Sequence, residues 1–198
     1  MAKNKKIVFL TVGAVAVLLL AGCGAPKKAT NSNSQPKLAT TTAIAGKSYD
    51  PCDLLTKDDV AMIFPGGDIK LTRHDITANV VGQKICFYSA SETDQKFAQL
   101  SIVSSADMAE TVKSGGENAE RLFSETRDTF SSTTPLSGLG DDAYYGGSGL
   151  NIIAGLYVLD QAKGVSINVT VGLGLGNTDQ KKHMDIEEAL AKKILSRL

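Results

Sequence analysis

The run Ile152-Ile153-Ala154-Gly155-Leu156-Tyr157-Val158-Leu159 is followed by Gln161-Ala162-Lys163-Gly164 and then by Val165-Ser166-Ile167-Asn168-Val169-Thr170-Val171. The first segment is almost wholly apolar, as expected of a central strand with both faces covered. The last alternates Val, Ile, Val, Val with Ser, Asn, Thr in period two, the mark of a strand with one apolar face. Four residues ending in Gly join them, which predicts a hairpin. Downstream, from about Thr178 to Leu198, the period changes to 3.6: Ile186, Leu190, Ile194 and Leu198 share one stripe, with Lys181, Asp185, Lys192 and Arg197 elsewhere. A terminal helix laid on an antiparallel sheet follows from this switch of period.

Working upstream, the same signals recur. Ala98, Leu100 and Ile102 alternate with Gln99 and Ser101, and Ile85-Cys86-Phe87-Tyr88 forms an apolar run before them, so these two strands pair. Asp107 to Phe130 carries Met108, Val112, Ala119, Leu122, Phe123 and Phe130 among charges and reads as helix, broken at Gly115-Gly116. Thr56 and Asp59 stand at capping-box spacing, with Leu55 and Val60 as the flanking apolar pair, and Pro65-Gly66-Gly67 ends that helix. The fold class is therefore α+β: one antiparallel sheet with flanking helices, over residues 49–198.

The N-terminus speaks of location. Lys3, Lys5 and Lys6 precede an apolar stretch from Ile7 to Leu20, about the length of a secretory signal and short for a membrane span. It ends in Leu20-Ala21-Gly22-Cys23, which resembles the bacterial lipobox, where the Cys thiol is acylated and the signal is cut just before it. An ordinary secretory signal that happens to contain Cys is the alternative. Residues 1–22 are then a lipoprotein signal peptide and Cys23 the lipidation site, since two or three acyl chains anchor a protein durably. Gly24 to Ser48 is rich in Ala, Thr, Ser, Asn and Lys and poor in large apolar residues, the composition of a flexible tether reaching about 25 to 30 Å. Localisation follows as the extracytoplasmic side of the cell membrane.

The chain has 21 basic and 21 acidic groups; without Lys3, Lys5 and Lys6 it has 18 against 21, a net charge near −3. That balance lacks the basic footprint of a nucleic-acid binder. With Cys23 acylated, Cys52 and Cys86 remain, and two cysteines in an exported chain read as a disulfide, against the alternative of a free or redox-active pair. Closing that loop stabilises a domain by roughly 3 to 4 kcal/mol on the chain-entropy model. Neither Cys has a Cys or His at ligand spacing, so no metal is expected.

Pro51-Cys52-Asp53-Leu54-Leu55-Thr56 at a helix start, a second Cys followed two residues on by Tyr88, and Gly138-Leu139-Gly140-Asp141-Asp142-Ala143 ahead of a hairpin together resemble the small lipoproteins of unknown function common in actinobacteria. The resemblance covers about 150 residues and its motifs are structural. It implies a PsbP-like arrangement, an antiparallel sheet flanked by helices, in proteins that are mostly adaptors or binders. It brings no catalytic residue.

Residues equipped for chemistry are sparse. His74 falls in a polar loop and His183 on a charged helix face, both read as solvated; His183 shares its face with Glu187, a pair too sparse for a metal site. Gly146-Gly147-Ser148-Gly149-Leu150 lacks the last Gly of a nucleophile elbow and precedes a strand. Gly172-Leu173-Gly174-Leu175-Gly176 has Asn177 where a dinucleotide loop needs Gly, and reads as a strand end that bends or admits another chain segment. Asp58-Asp59 and Asp141-Asp142 are adjacent in sequence and cannot flank one bond. The segment with most binding character is Tyr144-Tyr145-Gly146-Gly147, beside the Gly172–Gly176 strand end, because Tyr next to Gly supplies aromatic surface at low entropic cost; the alternative is one Tyr in the core and one on a strand face. The expected function is a non-catalytic binding module for a protein, lipid or small ligand, with no cofactor; the alternative is an envelope enzyme with an unrecognised active site.

Overall fold

The computed structural model describes residues 46–147 and 154–198. The signal segment 1–22, Cys23 and most of the tether lie outside the described residues, as do Ile152 and Ile153. Tyr49 is buried, and the chain is already seated at Lys47, whose carbonyl accepts from Ser104 Oγ at 3.3 Å.

Two helices open the domain: α1, Pro51–Leu54, and α2, Lys57–Ile63. Asp50 caps α1 by accepting from the Cys52 amide, and Thr56 and Asp59 form the full capping box of α2. Strands β1 (Lys70–His74), β2 (Val81–Ser91) and β3 (Lys96–Met108) form an antiparallel meander. Helices α3 (Glu110–Ser114) and α4 (Ala119–Asp128) follow, separated where Gly115 and Gly116 interrupt the expected helical stretch. A second meander comprises β4 (Thr133–Leu136), β5 (Asp142–Gly146), β6 (Gly155–Asp160) and β7 (Val165–Leu173). Helix α5, Gln180–Arg197, closes the chain, with Asp179 accepting from the Lys182 amide as its cap.

The meanders join through β3 and β7 into one seven-stranded antiparallel sheet of order β1-β2-β3-β7-β6-β5-β4. Leu100, Ile102, Ile167, Val169, Leu156 and Val158 pack in one core with Leu54, Val60, Leu190 and Ile194 of α1, α2 and α5. A smaller aromatic core contains Tyr144, Tyr157, Leu159 and Phe123 of α4. This explains why β6 is apolar at consecutive positions: Leu156 and Val158 belong to one core, Tyr157 and Leu159 to the other. On β7 the alternate positions are polar, and Thr170 Oγ1 finds the Ala154 carbonyl at 3.1 Å.

Cys52 and Cys86 form the disulfide, fastening α1 to β2. At the other end of the chain Arg197 reaches the Leu54 carbonyl and Asp59, so α5 is tied to α1 and α2 as well. Among the described residues no helix is long and apolar enough to cross a membrane.

Candidate functional site

Pairing between β6 and β7 runs from Asp160↔Val165 to Leu156↔Val169, and β7 continues beyond it. Val171 therefore presents a peptide unit that β6 no longer matches, and unpaired buried backbone groups are costly. Helix α5 supplies the missing partners. The Val171 N–H donates to Glu187 Oε1 at 2.8 Å, and the Val171 carbonyl accepts from His183 Nδ1 at 2.8 Å. Residues 183 and 187 are one helical turn apart on one face, so the two side chains grip one residue of the strand.

These contacts define what each side chain has left. A carbonyl can only accept, so Nδ1 of His183 carries the proton and, in the neutral ring, Nε2 is an acceptor. His183 is 9% exposed and Glu187 1%. Both His183 Nε2 and Glu187 Oε2 are buried with no hydrogen-bond partner among the described residues. Burial pushes the Glu187 carboxyl up to about 8, against the pull of the Val171 and Leu156 amides. At neutral pH it therefore holds a proton, and with Oε1 accepting from Val171, Oε2 is the oxygen free to donate.

Both side chains line a cavity of about 210 Å³ at this end of the sheet, together with Phe97, Tyr145 and Thr170. The turn Gly172–Gly176 forms its rim. At Gly172 a Cβ would meet the Phe97 ring at 2.3 Å, so only Gly lets that ring lie across the strand end. Positive φ at Gly174 and Gly176 then turns the chain toward α5. The Tyr145 hydroxyl is pushed up to about 12 by burial and, secondarily, by the Glu187 carboxyl, and thus stays protonated. Among the described lining residues there is no Lys, Arg or Asp. A larger depression of about 540 Å³, open to a similar degree, lies between the Pro65–Asp68 turn and Lys96; Lys96 there is paired with Asp94.

The sequence candidates fall in different places. Tyr144 and Tyr145 are both in β5, 1% and 3% exposed, so neither presents the loop surface expected of them. Tyr144 stacks on Tyr157, with ring centroids 4.9 Å apart, and donates to the Phe123 carbonyl at 3.3 Å. Tyr145 belongs to the opposite core and walls the cavity, which it shares with the Gly172–Gly176 turn. Gly146 lies against the Phe130 ring, and Gly147, at φ 92°, against Ala154. Ser148 and Gly149 lie outside the described residues.

Two expectations about histidine are corrected. His74 is the last residue of β1, not a loop residue, and its Nε2 is 2.7 Å from Asp50. Asp50, Cys52 and His74 bring their ligand atoms within 4.8 Å of one another, but the Cys52 sulfur is already bonded to Cys86. His183, read as solvated, is buried along with Glu187. The signal was present in the spacing: 183, 187, 190 and 194 form one helical stripe, so the apolar face defined by Leu190 and Ile194 continues onto two polar residues. No protein-family model, curated protein or solved structure matches the chain.

Proposed function

We propose that the protein is a lipid-anchored lipoprotein of the cell envelope, held through Cys23 on the extracytoplasmic side of the membrane. Its folded domain acts there as a non-catalytic module that binds a small ligand in the cavity between β7 and α5. The anchor rests on the sequence Leu20-Ala21-Gly22-Cys23 behind its apolar segment. The binding reading rests on one observation: two deeply buried polar atoms, His183 Nε2 and Glu187 Oε2, have no partner among the described residues, and both residues line a cavity. Leaving such a group unpaired costs about 1 to 3 kcal/mol, a cost that a bound ligand removes.

One feature favours a second reading, an envelope enzyme: a buried base and a buried acid border the same cavity. Against it, His183 is oriented by a backbone carbonyl, the Thr170 hydroxyl is engaged with Ala154, and burial keeps the Tyr145 hydroxyl protonated. The experiment is native mass spectrometry of protein extracted from its own membrane. The expected result is a mature chain beginning at acylated Cys23 that carries a non-covalent small molecule, absent from Glu187→Leu protein. A different mature N-terminus refutes the anchor, and a small molecule retained by Glu187→Leu refutes the site. Substrate turnover abolished by His183→Gln would establish the enzyme reading instead.

A further inference from the structure

We propose that the cavity between β7 and α5 takes a neutral ligand bearing a hydroxyl group on an apolar body, the hydroxyl donating to His183 Nε2 and accepting from Glu187 Oε2. This deepens the binding function proposed above and rests on it. The hydrogen-bond roles come from Val171: its carbonyl fixes the proton on His183 Nδ1, and its amide occupies Glu187 Oε1. The ring acceptor and the carboxyl oxygen left over belong to two residues that line the cavity; both atoms are buried, a turn of helix apart, and have no hydrogen-bond partner among the described residues. A hydroxyl, which is donor and acceptor at once, completes both.

The charge of the ligand follows from the walls. Among the described lining residues an anion meets no Lys or Arg and a cation meets no Asp; the carboxyl already present is protonated at neutral pH. A buried charge without a counter-charge is expelled. Phe97, Tyr145, Leu173 and Leu175 give the lining an aromatic and aliphatic share that suits a hydrocarbon body, and the polar side chains beside them, Gln95, Thr170 and Asn177, are uncharged. A volume of about 210 Å³ accommodates a ligand the size of a six-membered ring with one substituent.

The test uses three probes of one shape and different charge: cyclohexanol, cyclohexanecarboxylate and cyclohexylamine. Each is titrated calorimetrically at pH 6.5 into the full-length lipoprotein in lipid nanodiscs, with empty nanodiscs subtracted, and into the Glu187→Leu and Glu187→Gln variants. Cyclohexanol is expected to bind at least tenfold more tightly than either charged probe. Glu187→Leu should weaken it at least tenfold, whereas Glu187→Gln, which keeps a donor beside an acceptor, should restore most of the affinity. If the carboxylate or the amine binds as tightly as the alcohol and Glu187→Leu abolishes it, the neutral-hydroxyl assignment is overturned while the binding site stands. If no probe binds, or if all bind Glu187→Leu as well as wild type, the site itself is overturned.

Discussion

Two carboxyl groups are buried against α5, Asp59 beneath its C-terminal turn and Glu187 near its middle, and they are treated in opposite ways. Asp59, 2% exposed, is surrounded by donors: both Arg197 nitrogens, Lys193 Nζ at 3.4 Å, and the Thr56 amide at 3.1 Å and hydroxyl at 2.8 Å. Burial alone would raise it, but Arg197 and Thr56 overcome that and hold the carboxyl well below the usual range. Glu187 is buried as deeply, yet receives backbone amides alone, and burial prevails. The two thus differ in their partners and not in depth. A carboxyl whose partners are complete is a fastening between helices, and one left incomplete beside a cavity has capacity for something else.

The largest effect expected from this contrast is in pH dependence. Glu187 has its folded value raised above the ordinary 4.5 to about 8, so its stabilising contribution is complete below 4.5 and is lost as pH rises toward and through 8. The loss is on the order of 4 kcal/mol. Glu187→Gln should remove it: in thermal melts the variant should gain on wild type steadily between pH 4.5 and 8. A constant difference across that range would mean that Glu187 is not protonated in the fold.

Asp59 carries the opposite sign. Its contribution is present above the ordinary 3.8 and lost as pH falls below it. Asp59→Asn leaves Arg197 without its charge partner and weakens the α2 cap; because Arg197 is partly exposed, a cost of about 2 to 3 kcal/mol is expected in denaturant melts at pH 7. Equal stability of Asp59→Asn and wild type would show the fastening to be ornamental. The smallest effects separate the adjacent tyrosines. Tyr144→Phe removes the bond to Phe123 and should cost about 1 kcal/mol. Tyr145→Phe, whose hydroxyl has no hydrogen bond among the described residues, should stay within about 0.5 kcal/mol in the same melts.

The fold was largely legible from periodicity. The hairpin of β6 and β7, the paired β2 and β3, the capping box at Thr56 and Asp59, the break at Gly115-Gly116 and the Cys52–Cys86 bridge each have a local signal. The edge strands β1 and β4 have none: Lys70–His74 is exposed throughout and Thr133–Leu136 contains Pro135, so hydrogen bonding to a neighbour, not burial, makes them strands. The candidate site was half legible. Gly172–Gly176 and Tyr145 do meet at one cavity, but His183 and Glu187 at its floor are residue types that on a helix normally face water. Their burial is written in the stripe they share with Leu190 and Ile194; what leaves no trace in the local sequence is their task, completing Val171 where the pairing of β6 ends two residues short of it.

The most direct measurement is a titration of the Glu187 side-chain carboxyl by carbon NMR on selectively labelled protein. The expected midpoint is near 8, with the carboxyl protonated at pH 6.5 and able to donate into the cavity. A midpoint near the ordinary 4.5 would place a carboxylate at the cavity floor at neutral pH, and both the donor role of Glu187 and the contrast with Asp59 would be contradicted.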